Sequence, residues 1–199
     1  QPRFQLITTG KISQKKLIFE DQHLERLRKA SRYFAFPFDQ EVLRQKIEKE
    51  YQSCDIRQDY RIRISLSKSG EIEIERQVLT PLSSSFCQAK LCQQEANLEQ
   101  AFTYFKTTHR PHLTLGEQEI IYHTADGKLL ETSIGNLVLK MDGKLYTPPS
   151  QLGLLPGIYR QHLLESRQAE EKILTIEDLK QAEAIYACNA VRGLYELKI

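Results

Sequence analysis

The stretch from Tyr60 to Glu75 limits the fold most. Tyr60, Ile62, Ile64 and Leu66 alternate with Arg61, Arg63 and Ser65, and after Lys68-Ser69-Gly70 the residues Ile72 and Ile74 alternate with Glu71, Glu73 and Glu75. Period-two alternation marks a half-buried strand, and a short polar break ending in Gly marks a turn, so the pattern predicts a hairpin with one apolar face. Its other face sets arginines against glutamates, which reads as cross-strand pairing on a wet surface and not as a binding site. Two further hairpins are expected in the second half of the chain. One joins Gln118–Thr124 to Leu129–Thr132 through Ala125-Asp126-Gly127-Lys128. The other joins Leu137–Met141 to Lys144–Thr147 through Asp142-Gly143. Strands are also expected over Phe4–Ile12, Lys15–Phe19, Ala184–Ala187 and Leu194–Leu197.

Helices are fewer. Leu24, Leu27, Ser31 and Phe34 recur at helical spacing, which predicts a helix over His23–Ala35 with Asp21 as its N-cap and Pro37 beyond its end. Asp39 is expected to cap a second helix whose apolar face carries Val42, Leu43, Ile47 and Tyr51. Pro156-Gly157 precedes a helix over Ile158–Ser166. Thr175 caps a short helix through Gln181, with Glu177 and Asp178 in its first turn. Pro81-Leu82-Ser83-Ser84-Ser85 reads as a linker. The chain is thus expected to hold two domains of α/β (α+β) class, a small α/β domain over 1–82 and a larger, strand-rich domain over 83–199.

Charge excludes some functions. The 199 residues carry 28 basic and 26 acidic side chains, a net of +2, with no block of one sign, so no electrostatic footprint for nucleic acid or a membrane surface is present. No apolar run is long enough for a membrane span, and no signal peptide is visible at the start. Cys54, Cys87, Cys92 and Cys188 match no common zinc spacing and read as reduced thiols of a cytoplasmic protein. His109, His112 and His123 lack metal-ligand spacing, so no metal is expected.

Several segments can carry chemistry. Lys106 stands in the otherwise uncharged run Ala101–His109; a partly desolvated amine has a lowered pKa and attacks aldehydes. Read alone, it is far more often a solvated surface lysine. Glu131 begins Glu131-Thr132-Ser133-Ile134-Gly135-Asn136 at a strand end. Gly157-Ile158-Tyr159 opens a helix, where unpaired N–H groups and the helix dipole favour a phosphate. Arg26 lies in His23-Leu24-Glu25-Arg26-Leu27, and Thr8 and Thr9 lie in Ile7-Thr8-Thr9-Gly10-Lys11. Cys188-Asn189-Ala190-Val191-Arg192-Gly193 ends a strand, and Arg192 there is either a carboxylate binder or a surface charge.

Taken together and in this order, these segments resemble the class IV aminotransferase family, and within it most of all the lyases that act on 4-amino-4-deoxychorismate. The resemblance runs from Phe4 to Arg192. It implies fold type IV of the pyridoxal-phosphate (PLP) enzymes: a small N-terminal α/β domain, a larger domain with a barrel-like β core, PLP at the interface between them, and a homodimer. It implies PLP as cofactor, joined to Lys106 as a Schiff base. By the same resemblance Glu131 faces the pyridine nitrogen, and Arg26, Gly157, Ile158, Tyr159, Asn189 and Ala190 serve the cofactor, mainly its phosphate. Lys106 and Thr9 are then catalytic, and Thr8, Arg110 and Arg192 contact the substrate. Lys11 stands where the family has Arg, and Ala190 where it commonly has Ser or Thr, so the side-chain donors at those points are altered or lost. The implied reaction yields 4-aminobenzoate and pyruvate, a step toward folate, with a synthase component that makes the substrate as fused or working partner. Transamination of branched-chain or D-amino acids, or a non-catalytic role beside a synthase, are the competing readings.

Overall fold

The structure, a computed structural model, describes residues 3–95 and 99–199. It divides into two compact units: Gln1–Pro81 with Phe105–His109, and Leu82–Tyr104 with Arg110–Ile199. A single cut after residue 82 would assign Phe105–His109 to the second domain. Their backbone instead extends the sheet of the first unit, which is why they cluster with it.

The first unit holds a four-stranded antiparallel sheet. Its strands β1 (Leu6–Ser13), β2 (Lys16–Leu17), β3 (Tyr60–Leu66) and β4 (Ile72–Val78) run in the order β2-β1-β3-β4. The hairpin between β3 and β4 has the register Leu66↔Ile72 and Ile64↔Ile74. That register sets Arg63 opposite Glu75 but Arg61 opposite Gln77, so only the first of these arginines has a facing glutamate. Helices α1 (Glu20–Phe34) and α2 (Gln40–Ser53) bury Leu24, Leu27 and Ala30, and Leu43, Ile47 and Tyr51, in one core with Leu6, Ile12, Ile62, Ile64 and Leu66. Val42, expected on the apolar face of α2, is exposed.

Asp39 caps α2 as expected, its Oδ1 accepting from the N–H groups of Glu41 and Val42 at 3.0 and 3.2 Å. Asp21 does not cap α1. The helix starts two residues earlier, from Phe19 in the left-handed region at φ 58°, and Asp21 lies in its first turn. The start is set by the tight passage from β2, where the Ile18 N–H bonds the Lys11 carbonyl at 2.9 Å, rather than by a side-chain cap.

The second unit is built on a strand barrel. Strands β5 (Phe86–Gln93), β6 (Glu119–His123), β7 (Leu129–Thr132), β8 (Asn136–Met141), β11 (Ala184–Asn189) and β12 (Gly193–Lys198) pair in the order β8-β11-β12-β5-β6-β7, and β7 pairs back to β8 to close six strands into a ring. Closure leaves these strands no open edge. β9 (Lys144–Thr147) and β10 (Ala169–Glu171) extend the sheet beyond β8. Alternate residues of the ring strands supply the core: Ile121, Leu129, Leu137, Leu139, Ala187 and Leu197 are all buried in one cluster. The short helix α3 (Gln100–Tyr104) follows β5, α4 (Ile158–Glu165) follows β9, and α5 (Ile176–Gln181) starts with a capping box between Thr175 and Asp178. Asp142 and Gly143 both have positive φ, 51° and 74°, the conformation that a two-residue hairpin turn between β8 and β9 requires. Among the described residues, no helix is long and apolar enough to cross a membrane.

Candidate active site

The candidate residues fall into two sets, one in each unit. In the first unit, Lys106 rides on a short extended segment laid antiparallel beside the start of β1. The Ile7 N–H bonds the Lys106 carbonyl at 3.1 Å, the Thr108 N–H bonds the Gln5 carbonyl at 2.9 Å, and Leu6 bridges Thr107. Thr107 is fully buried, and its hydroxyl donates to the His109 carbonyl at 3.0 Å while accepting from the His109 N–H at 3.1 Å. The Phe105 ring packs 4.6 Å from the Tyr33 ring and 5.5 Å from that of Phe34. Lys106 is therefore fixed at its backbone on both sides. Since Leu6 faces Thr107, the strand pleat turns Lys106 to the side of β1 that carries Ile7 and Thr9. Thr9 and Lys106 share that face.

Thr8 points the other way and is 1% exposed. Its hydroxyl lies 2.6 Å from Nδ1 of His23, so the structure commits this threonine to a buried histidine. Gly10, on the same face of β1, makes room for that ring: a Cβ there would stand 2.6 Å from His23 Nε2. Burial, with the charges of Arg26 and then Lys106, pushes the His23 imidazole down to about 3, so it is neutral at physiological pH. Arg26 lies one turn further along α1, half-buried. The sequence names His23 only as part of the segment around Arg26. Its bond to Thr8, fifteen residues away, has no local signature.

In the second unit, Glu131 stands near the end of β7 and faces Asn136 of β8 across a tight turn. The Thr132 hydroxyl donates to the Gly135 carbonyl at 3.1 Å and accepts from its N–H at 2.9 Å, and Ser133 Oγ accepts from the Ile120 N–H at 3.1 Å. A Cβ on Gly135 would stand 2.6 Å from the Cys188 carbonyl oxygen, so glycine is needed for the close approach of β11. The spacing of Glu131 and Asn136 has a physical meaning. Asn136 Nδ2 donates to the Leu155 carbonyl at 2.7 Å, and the Leu155 N–H reaches Glu131 Oε1 at 3.4 Å. The two side chains brace the loop that leads into α4.

That loop ends at Gly157, the N-cap of α4, which has no side-chain cap among the described residues. A Cβ on Gly157 would overlap Asn136 Oδ1. The helix start therefore presents backbone N–H groups in a cradle that a larger residue would fill. Ile158 is buried there, and a Cβ on Gly193 would stand 3.5 Å from the Tyr159 ring, so α4 packs against the turn between β11 and β12. In that turn Asn189 Oδ1 accepts from the N–H groups of Val191 and Arg192 at 3.1 and 2.8 Å, and its Nδ2 donates to the Ile134 carbonyl at 3.2 Å. The Asn189 side chain is thus spent on the turn. Ala190 sits within it, and Arg192 closes it, both half-buried.

Glu131 itself is 2% exposed, and among the described residues its Oε2 has no hydrogen-bond partner. Arg110 Nη2 lies 3.6 Å from Oε1, an ion pair longer than a hydrogen bond. Burial pushes the Glu131 carboxyl up to about 7, with Arg110 and the Leu155 backbone opposing. Burial pulls the Arg110 guanidinium the other way, below its ordinary value, against the pull of Glu131. Elsewhere in the barrel a second buried carboxyl, Glu119, accepts from the Tyr195 hydroxyl at 2.8 Å and is raised by burial.

Comparison with known proteins agrees with this architecture. A 192-residue match at 21% identity, covering 89% of this chain and 82% of the relative, is to a Schizosaccharomyces pombe protein described as "Putative aminodeoxychorismate lyase". The crystal structure of a "Putative amino-acid aminotransferase" from Mesorhizobium loti superposes with a TM-score of 0.84 at 27% identity, covering 98% of this chain and 99% of that one. The PLP-bound form of a "hypothetical aminotransferase" from Mycobacterium tuberculosis shares the fold, with a TM-score of 0.80 at 18% identity over 97% of this chain and 80% of that one. The family model for amino-transferase class IV matches residues 5–198, nearly the whole length. With its six-strand barrel and separate antiparallel sheet, the chain belongs to the class IV aminotransferase family.

Proposed function

We propose that the protein is a PLP-dependent lyase that converts 4-amino-4-deoxychorismate to 4-aminobenzoate and pyruvate. The observation that carries the cofactor assignment is Glu131: a buried carboxyl with one oxygen lacking a protein partner among the described residues, braced to the loop that forms an uncapped helix start. An acceptor for a ring N–H and a seat for a phosphate are what PLP needs, and the cradle at Gly157 suits backbone contacts to phosphate oxygens. Lyase over transaminase is supported by the Tyr104-Phe105-Lys106-Thr107-Thr108-His109-Arg110 and Gly153-Leu154-Leu155-Pro156-Gly157-Ile158-Tyr159-Arg160-Gln161 segments, which resemble lyase sequences, and by the fission-yeast relative.

When bound, PLP supplies an electron sink for the negative charge left on the substrate. Lys106 would hold the cofactor through its Nζ, and that amine, once displaced by the substrate amine, would serve as the base that takes the proton from the amine-bearing carbon. The enolpyruvyl group then leaves as the enolate of pyruvate and takes up a proton, while the six-membered ring becomes aromatic. Glu131, through Oε2, would accept from the proton-bearing pyridine nitrogen and keep it protonated. In the second unit the N–H groups of Ile158, Tyr159 and Ala190 would hold the phosphate, a role the family resemblance also gives to Arg26; in the first unit Thr9 lies on the face of β1 to which Lys106 turns. Aromatisation drives the reaction, so these residues have mainly to position and polarise.

The near-visible absorbance of the purified protein with added PLP tests this reading. Wild type should show the band of lysine-bound cofactor, Lys106→Ala should lack it, and wild type should release pyruvate from aminodeoxychorismate with no keto acid added. A need for an added keto acid would favour the aminotransferase reading that the Mesorhizobium loti neighbour supports. No band at any PLP concentration would refute the enzyme reading.

A further inference from the structure

A carboxyl as deeply buried as Glu131 stays ionised only if a neighbour keeps it so. We propose that Arg110 is a positioning residue: the buried counter-ion that biases Glu131 toward the carboxylate with Oε2 available, and not a ligand of the substrate. This rests on the reading of Glu131 as partner of the PLP ring nitrogen.

Three observations carry it. Arg110 Nη2 approaches Oε1 to 3.6 Å, with side-chain exposures of 17% for the arginine and 3% for the glutamate. The Leu155 N–H is directed to the same oxygen, Oε1, so both contacts hold the carboxylate by one side and leave Oε2 without a protein partner among the described residues. Asn136, opposite Glu131 in the register, has its amide committed to the Leu155 carbonyl. Among the described residues Arg110 is the cation in ionic contact with Glu131. Without it, burial alone would favour the protonated acid, which donates a proton where a protonated ring nitrogen needs an acceptor.

The test is a carboxyl-carbon NMR titration of the full chain, labelled in glutamate and free of PLP, with the Glu131 signal assigned by its loss in Glu131→Gln. In wild type the midpoint is expected near 7. In Arg110→Gln it should rise by about one pH unit or more, and in Arg110→Lys it should lie between the two. Glu119, whose partner is Tyr195, should keep its midpoint in both variants. With PLP and aminodeoxychorismate, the pH profile of kcat in Arg110→Lys should move in the same sense while KM stays within about twofold. An unmoved Glu131 midpoint, with KM raised about tenfold, would overturn the proposal and make Arg110 a substrate ligand. If Arg110→Gln does not fold, Arg110→Lys decides by the same two readouts. If wild type binds no PLP, the cofactor reading fails by itself, and the titration still decides whether Arg110 sets the charge of Glu131.

Discussion

Gly157→Ala isolates the cradle at the start of α4. Gly157 has φ −62° and ψ 153°, a region open to any L-residue, so the substitution brings no backbone strain. Its whole cost is steric, because the new methyl group would overlap Asn136 Oδ1. Asn136 is 4% exposed and its amide donates to the Leu155 carbonyl at 2.7 Å, so it has little room to withdraw. Either Asn136 turns and its buried amide loses the Leu155 carbonyl, which keeps the Gly157 N–H as donor, at about 1–3 kcal/mol, or the helix start shifts, at about 1–3 kcal/mol for overpacking. A loss of about 2 kcal/mol is expected on either route. In an Asn136→Ala background the obstruction is gone, and Gly157→Ala should cost nothing or stabilise by about half a kcal/mol. The two substitutions should therefore couple by about 2 kcal/mol. Urea denaturation of wild type, both single variants and the double variant gives the coupling directly. The Kd for PLP measured in parallel should weaken about tenfold in Gly157→Ala, since the Leu155 bond to Glu131 moves with the loop. Additive costs, equal within about 0.5 kcal/mol in the two backgrounds, would refute the argument that Asn136 shapes the cradle.

Two further outcomes follow from buried contacts. His23 is held neutral in the folded chain, at about 3 against an ordinary 6.5, so the unfolded chain takes up the proton first as pH falls; its contribution is complete above about 6.5 and is lost between there and 3, up to about 5 kcal/mol. Urea midpoints of wild type should therefore drop on the acid side more steeply than those of His23→Asn, and parallel acid limbs would show that other groups dominate. Gly135→Ala places a Cβ against the Cys188 carbonyl, a backbone atom that cannot swing aside, and should cost about 1–3 kcal/mol in thermal unfolding, whereas Gly116→Ala, with nothing within 4 Å, should change stability by less than about 0.5 kcal/mol.

Local patterns announced much of this fold because their causes are local. The β3–β4 hairpin, the Asp142-Gly143 turn, the Asp39 cap and the Thr175 capping box each lie within a few residues, and each stands where the pattern puts it. β5 has no such signature. Its Phe86-Cys87-Gln88-Ala89-Lys90-Leu91-Cys92-Gln93 buries only Ala89 among its residues, and it exists because β12 and β6 pair with it in parallel from far along the chain. The start of α1 is hidden for another reason: a left-handed Phe19 is a backbone event that residue type does not betray. The candidate site divides in the same way. The spacing of Glu131 and Asn136 is readable, but their joint hold on Leu155 joins points 19 and 24 residues apart. Thr8 meeting His23, and Arg110 meeting Glu131, likewise need the folded chain.

The placement of Lys106 has a consequence for dissecting the molecule. The chain enters the first unit again at Phe105 and leaves it after His109, so that unit is discontinuous. A fragment ending at Pro81 would lack the lysine and would bare the N–H and carbonyl of Gln5 and the N–H of Ile7 that Thr108 and Lys106 now satisfy. An open edge of that kind invites pairing with another chain. Splitting the gene at the linker would therefore yield no independent lobe; a complementing peptide that includes Phe105–His109 would have to be supplied in trans, or the ends rejoined by circular permutation, for the sheet to be whole.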